Sequence, residues 1–188
     1  MGILSVLCSG CNSVTYHLYN SDKSNGLNFT TGKWLIGDIE VNKNVKTKLT
    51  ALAIKDFTAL LNERVKYAPT EKALLIPLQN PLNPNKYQID LLKKSTGYDY
   101  FINIKCKNGR NDMTNYDYTE NTYLLEQMNA AVVTLEVYDL NRGTIVYTQT
   151  AVGKLHEDAS FTARPTYTVL MGSYNRILND IRKKSILQ

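Results

Sequence analysis

The chain has 188 residues, with 22 Lys and Arg against 17 Asp and Glu and a formal net charge of +5. That length suits one domain whose core needs no disulfide staples, and a hydrophobic share of 43% is ordinary for a globular protein. The lysines are scattered among acids, and only Arg182, Lys183 and Lys184 cluster. This is the pattern of a solvated helix end. There is no basic stripe interleaved with aromatics, so nucleic acid is not an expected partner.

The chain opens on a short apolar run, Ile3, Leu4, Val6 and Leu7, followed by the small residues Ser9 and Gly10 and then Cys11. An apolar stretch ending in small residues has the shape of a secretory signal. It is too short to span a bilayer, which takes about 20 apolar residues. Cys8 and Cys11 form a C-x-x-C pair, but zinc needs two further ligands. The histidines, His17 and His156, show no ligand spacing. A redox pair opens a helix after a strand, whereas this one ends an apolar run, so no metal site is expected. Gly2 does not start a myristoylation signal, because Val6 stands where Ser or Thr is needed.

The segment Leu7-Cys8-Ser9-Gly10-Cys11 resembles the lipobox of bacterial lipoproteins, although Cys8 stands where that motif prefers leucine. The resemblance implies that residues 1–10 are a signal peptide and that Cys11 becomes the lipidated amino terminus. Acyl chains at about 0.8 kcal/mol per buried CH₂ make such an anchor effectively permanent. Asn12 occupies the position where aspartate marks inner-membrane retention. The resemblance therefore implies an outer-membrane protein on the periplasmic side, with the membrane as a partner through palmitate-type acyl chains.

Residues 11–33 are polar and read as a flexible tether, which leaves 34–188 as a single α/β domain. Residues 34–41 read as a strand with Leu35, Ile36, Ile39 and Val41 as its apolar content. Asn42 or Asn44 then caps a helix in which Val45, Leu49, Leu52, Ala53, Phe57, Leu60 and Leu61 recur at steps of three and four. Residues 73–78 read as a second strand, placed at an edge by Pro77. After a break at Asn80–Pro84, a short helix carries Tyr87, Ile89, Leu91 and Leu92 and ends at Gly97, which suits a left-handed cap. From Tyr98 to Lys105 the pattern alternates, with Tyr100, Ile102, Ile104 and Cys106 on one face and Asp99, Phe101, Asn103 and Lys105 on the other. Cys106 reads as a buried, inert thiol.

Residues 107–121 form a polar stretch, long for a connection inside a compact domain and of a kind that is often functional. Within it Tyr116 and Tyr118 flank Asp117, with Arg110 nearby. Tyr and Arg are types that dominate contact energies, which makes Arg110, Tyr116, Asp117 and Tyr118 the candidate partner-binding residues. Residues 130–140 read as a strand, Asn141, Arg142 and Gly143 as a hairpin turn, and 144–155 as the returning strand with Ile145, Tyr147 and Ala151 on one side. The last helix, 167–184, buries Leu170, Met171, Tyr174, Ile177, Leu178 and Ile181. The order β-α-β-α-β-β-β-α predicts a two-layer α/β sandwich: a mixed sheet of about five strands with three helices mainly on one face.

Two segments carry a family resemblance: Ser95-Thr96-Gly97-Tyr98-Asp99-Tyr100-Phe101-Ile102 and the hairpin from Thr134 to Tyr147 with Asp139 and Gly143. Together they resemble envelope lipoproteins related to the TolB amino-terminal domain, a group that includes LpoB-type activators of penicillin-binding proteins and CsgG-type secretion lipoproteins. The resemblance implies a periplasmic, non-catalytic docking module and transfers no functional residue. The 107–121 stretch has no counterpart in that group.

The sequence holds no Gly-x-Ser-x-Gly elbow, Walker loop, His-Glu-x-x-His or dinucleotide fingerprint, so no cofactor and no catalytic residue is expected. Gly172-Ser173 falls inside the last helix. Asp38 and Glu40 alternate on one strand face and could mimic a glycosidase pair, and His156 with Glu157 and Asp158 could shuttle protons. The expected function is therefore an anchored interaction module for envelope proteins or peptidoglycan machinery. An envelope glycan hydrolase is the alternative class, and a subunit of a secretion or envelope assembly is a third.

Overall fold

The computed structural model describes residues 14–20, 23–71, 81–108, 130–155 and 166–187. Six strands form one sheet: β1 (Val14–Asn20), β2 (Trp34–Ile36), β3 (Val65–Tyr67), β4 (Tyr100–Asn108), β5 (Ala130–Asp139) and β6 (Thr144–Leu155). Their spatial order is β1-β6-β5-β4-β2-β3. β2 runs parallel to β3 and β4, while the β1–β6, β5–β6 and β4–β5 pairs are antiparallel.

Three helices cover the sheet. In α1 (Lys43–Leu61) the residues Val45, Leu49, Ala53, Phe57 and Leu61 repeat every four positions and are all buried. The Asn42 side chain accepts from the Asn44 N–H at 3.2 Å to start the helix. α2 (Lys86–Thr96) opens with a capping box, Asn85 accepting from the Gln88 N–H at 3.0 Å while Gln88 accepts from the Asn85 N–H at 2.8 Å. It closes on Gly97 at φ 69°, as its sequence predicts. α3 (Thr166–Lys184) buries Leu170, Tyr174, Ile177, Leu178 and Ile181.

α1 and α3 pack on one face against Ile102, Ile104, Val133, Leu135 and Val137, forming the main core. α2 lies on the other face, where Ile89 and Leu92 meet Leu35, Phe101, Tyr138 and Leu140. The α/β sheet protein with three helices mainly on one face is thus what the chain forms, with α2 adding a partial third layer. The alternation read for β4 holds. In β6 it does not: a bulge at Val137/Tyr138 pairs Tyr138 with Ile145 and Val137 with Tyr147. Val146 is the extra residue, so Ile145 joins the α2 face while Tyr147 stays in the main core.

The largest departure from the sequence reading is the tether. Val14–Asn20 is a strand paired with β6 along its whole length, and Val14, Tyr16 and Leu18 pack on the main core. Tyr16 is keyed into two glycines. A Cβ on Gly172 would lie 2.0 Å from the Tyr16 hydroxyl, and one on Gly153 would lie 2.9 Å from the Tyr16 ring. Further along, the Phe29 N–H donates to the Ile186 carbonyl at 3.0 Å and the Ile186 N–H donates to the Leu27 carbonyl at 2.9 Å. Leu27 and Phe29 are buried. The segment is polar by composition but folds because a few apolar side chains recur every second residue.

The other differences are local. β2 ends at Ile36, and Glu40 returns to the sheet as a single bridge to Lys105. The parallel edge strand is Val65–Tyr67, reached from α1 through a 3-10 turn at Asn62–Arg64. The strand read at 73–78 lies outside the described residues.

Candidate functional site

The strand directions sort the molecule into two ends. β4 and β6 finish, and β1 and β5 begin, at what is called here the upper end; the β5–β6 turn marks the lower end.

At the upper end the chain leaves β2, and Glu40 clamps beside β4. Its N–H donates to the Ile104 carbonyl at 3.2 Å, and its carbonyl accepts from the Cys106 N–H at 2.8 Å. Its carboxylate pairs with Lys105 at 2.5 Å. Asp38 pairs with Lys46 at 2.7 Å and accepts from the Tyr67 hydroxyl at 2.9 Å. Partial burial, reinforced by that bond to Asp38, pushes the Tyr67 phenol up to about 12. Beside these pairs lies a cavity of about 1090 Å³ lined by Glu40, Asn42, Lys43, Pro81, Lys105 and Lys107, among others.

This mouth offers hydrogen-bonding groups and cations. Cys106 also lines it, but burial, followed by the negative charge of Glu40, pushes the thiol well above its ordinary value. It stays protonated and is a poor nucleophile. Of the two carboxylates read as a glycosidase pair, Glu40 lines the cavity and Asp38 does not, and each is bound to its own lysine. Ser173 is a helix residue, buried and donating to the Val169 carbonyl at 3.2 Å. His17 is exposed on β1. Cys11, Arg110, Tyr116, Asp117, Tyr118 and His156 lie outside the described residues. The chain leaves the described part at Asn108 and re-enters it at Ala130, both at the upper end.

One cluster near the cavity escaped sequence reasoning. Glu136 is buried in β5 and accepts from the Asn83 N–H at 3.0 Å and from the Tyr138 hydroxyl at 2.8 Å. Asn103 donates to the same hydroxyl at 2.7 Å. Burial, then the charge of Glu136, raises the Tyr138 phenol above its ordinary value. The network fastens the segment before α2 to the sheet. Its trace in the sequence is Glu136 and Tyr138 standing two apart in a mostly apolar strand, side by side on one face.

No family model and no curated protein matches the chain. Among solved structures it is similar to PelC of Paraburkholderia phytofirmans, a dodecamer, with a TM-score of 0.45 and 15% identity over 90% of this chain and 97% of that one. It is similar to the lipoprotein GNA1162 of Neisseria meningitidis, with a TM-score of 0.42 and 12% identity over 79% of this chain and 99% of that one. A third neighbour is the hypothetical protein CT253 of Chlamydia trachomatis, with a TM-score of 0.37, 9% identity, and 81% and 95% of the two chains covered. Structure neighbours of the chain thus include a bacterial lipoprotein. With TM-scores below 0.5 the likeness extends to no shared site, and the chemistry rests on this chain's own residues. Among the described residues no helix is long and apolar enough to cross a membrane.

Proposed function

We propose that the protein is a lipid-anchored docking module of the bacterial envelope, non-catalytic and held to the outer membrane on its periplasmic side through Cys11. The observation that carries this reading is the lipobox-like segment Leu7–Cys11 placed directly before a folded domain, whose first strand starts at Val14. The ion-paired Glu40 and the buried thiol of the upper-end cavity, with Asp38 paired outside it, favour binding over hydrolysis. Arg110, Tyr116, Asp117 and Tyr118 are the residues proposed to touch an envelope protein or the peptidoglycan machinery. They belong to the connection that leaves and rejoins the sheet at that same end.

Metabolic labelling with a palmitate analogue tests the anchor. The wild type takes up label and the Cys11→Ala variant does not; label that survives this substitution defeats the reading. A pull-down from membranes comparing wild type with a deletion of residues 107–121 tests the contact surface. Loss of specific partners is expected, and an unchanged set counts against the loop.

A further inference from the structure

The segment that leads into α2 lies over β4 and β5 and forms part of the cavity. Pro81 and Leu82 line it. The Asn83 N–H donates to both oxygens of the Glu136 carboxylate, at 3.0 and 3.2 Å. The Pro81 carbonyl accepts from the Asn103 amide at 3.3 Å, and Asn103 and Glu136 are joined through the Tyr138 hydroxyl. These ties between the segment and the sheet therefore converge on one buried carboxylate and its two neighbours. The far end is fixed differently: Pro84 is buried and Asn85 is locked into the capping box of α2. Pro81–Asn83 is the part left to swing.

The backbone there is under strain. Asn83 has φ 51°, in the left-handed region, and it stands directly before Pro84, where a residue ordinarily takes extended backbone. Such a conformation persists only where its surroundings over-determine it. Here the surroundings are Glu136, which receives the N–H of that same residue. The carboxylate in turn depends on the segment. Glu136 is 4% exposed, and a buried charge is tolerated when donors satisfy it. Its donors are the Asn83 N–H and the Tyr138 hydroxyl. Apolar contacts hold a permanent wall without burying a charge. A charge-assisted tie is strong when made and is lost as a unit once its donor leaves.

We infer that Pro81–Asn83 is a hinged wall of the upper-end cavity, latched shut by Glu136 and strained toward opening at Asn83. With the latch made, Pro81 and Leu82 bound the cavity. With it broken, Asn83 relaxes to extended backbone and the wall swings away from β4 and β5, widening the cavity on the α2 side for a bulkier occupant. Glu136 acts through the segment it holds and is a positioning residue. The inference goes beyond the docking reading and depends neither on Cys11 nor on residues 107–121. It uses only side chains that meet within the sheet and the start of α2.

The test uses the full-length protein and two readouts: amide hydrogen exchange of the peptide spanning residues 81–85, and labelling of Cys106 by N-ethylmaleimide, assigned by peptide mass. Cys106 is buried and lines the same cavity, so its labelling reports the wall's opening. Glu136→Gln should speed both by roughly tenfold or more and leave exchange in α1 and α3 unchanged. Tyr138→Phe keeps the ring but removes one donor to Glu136; it should speed both by a smaller factor, and it stands in if Glu136→Gln does not fold. Asn83→Gly relieves the left-handed strain and keeps the N–H, so it should slow both. Wild-type rates in Glu136→Gln and Tyr138→Phe overturn the inference, as does an equal rise throughout α1 and α3, which is general loosening. Faster exchange at residues 81–85 with unchanged Cys106 labelling also overturns it, because the segment then opens without the cavity. So does an Asn83→Gly protein that opens as readily as Glu136→Gln.

Discussion

The two ends of the sheet are built on different principles. At the lower end, Asp99 ties three elements together. It accepts from the Lys33 N–H at 2.9 Å, from Asn141 at 3.0 Å and from Lys93 at 3.3 Å, while its own carbonyl accepts from the Leu140 N–H. Trp34 stacks on Tyr100 at 4.2 Å, and Arg64 reaches the carbonyls of Phe29 and Gly32. At the upper end the strands run out into a cavity rimmed by lysines, with the ion pairs Asp38–Lys46 and Glu40–Lys105 beside it. One end is spent on holding the chain together and the other is open for contact. The motif that carries the family resemblance sits on the holding end, which is why it reports the fold and says little about the partner.

That contrast can be broken experimentally, and the largest effect should come from the segment first read as a tether. Phe29→Ala should cost about 3–5 kcal/mol in a denaturant melt, because the ring is fully buried; a loss below about 1 kcal/mol would return residues 24–33 to the status of linker. Next is Gly172→Ala. Such a change inside a helix ordinarily gains up to about 1 kcal/mol, but here it drives a Cβ into Tyr16. A loss of about 1–3 kcal/mol is expected. In a Tyr16→Ala background the same change should become neutral or stabilising, a coupling that a double-mutant cycle reads directly.

A pH profile sharpens the comparison further. The hydrogen bond from Asn141, then those from the Lys33 N–H and Lys93, holds the Asp99 carboxyl below its ordinary value. A depressed folded-state pKa stabilises the native protein above the unfolded value and ceases to do so as pH falls through the folded one. Thermal stability should therefore drop below about pH 4, and Asp99→Asn should flatten that acid limb while lowering the neutral plateau. The smallest effect is expected at the upper end. Lys105→Gln breaks its pair with Glu40, whose side chain is 57% exposed, and should change stability by less than about 1 kcal/mol. If it unfolds the protein, the two ends are not distinct after all.

Much of this was legible in the sequence because it follows local rules. The stripes of α1 and α3, the glycine cap of α2, the alternation of β4 and the Asn141–Gly143 turn each depend on residues close in the chain. What was missed depends on distant partners. Val14, Tyr16 and Leu18 alternate as a strand should, but their surroundings are polar, and their partners, Gly153 and Gly172, lie more than 130 residues away. The bulge that turns Ile145 away from Tyr147 is a property of two strands and not of either alone. Of the candidate site, the rim lysines and Glu40 were visible as residue types, but nothing local says that the chain after β2 returns at Glu40 to bridge Lys105 or that the cavity opens there.

Strand β1 also has a mechanical consequence. Tension drawn through the amino-terminal segment along the strand would load its seven pairings with β6 in shear. All seven would then share the force, where a zipper would open one pairing at a time. The Tyr16 ring, lodged between Gly153 and Gly172, would act as a pin against slippage. A body moored at that corner would resist being unravelled by its own leash.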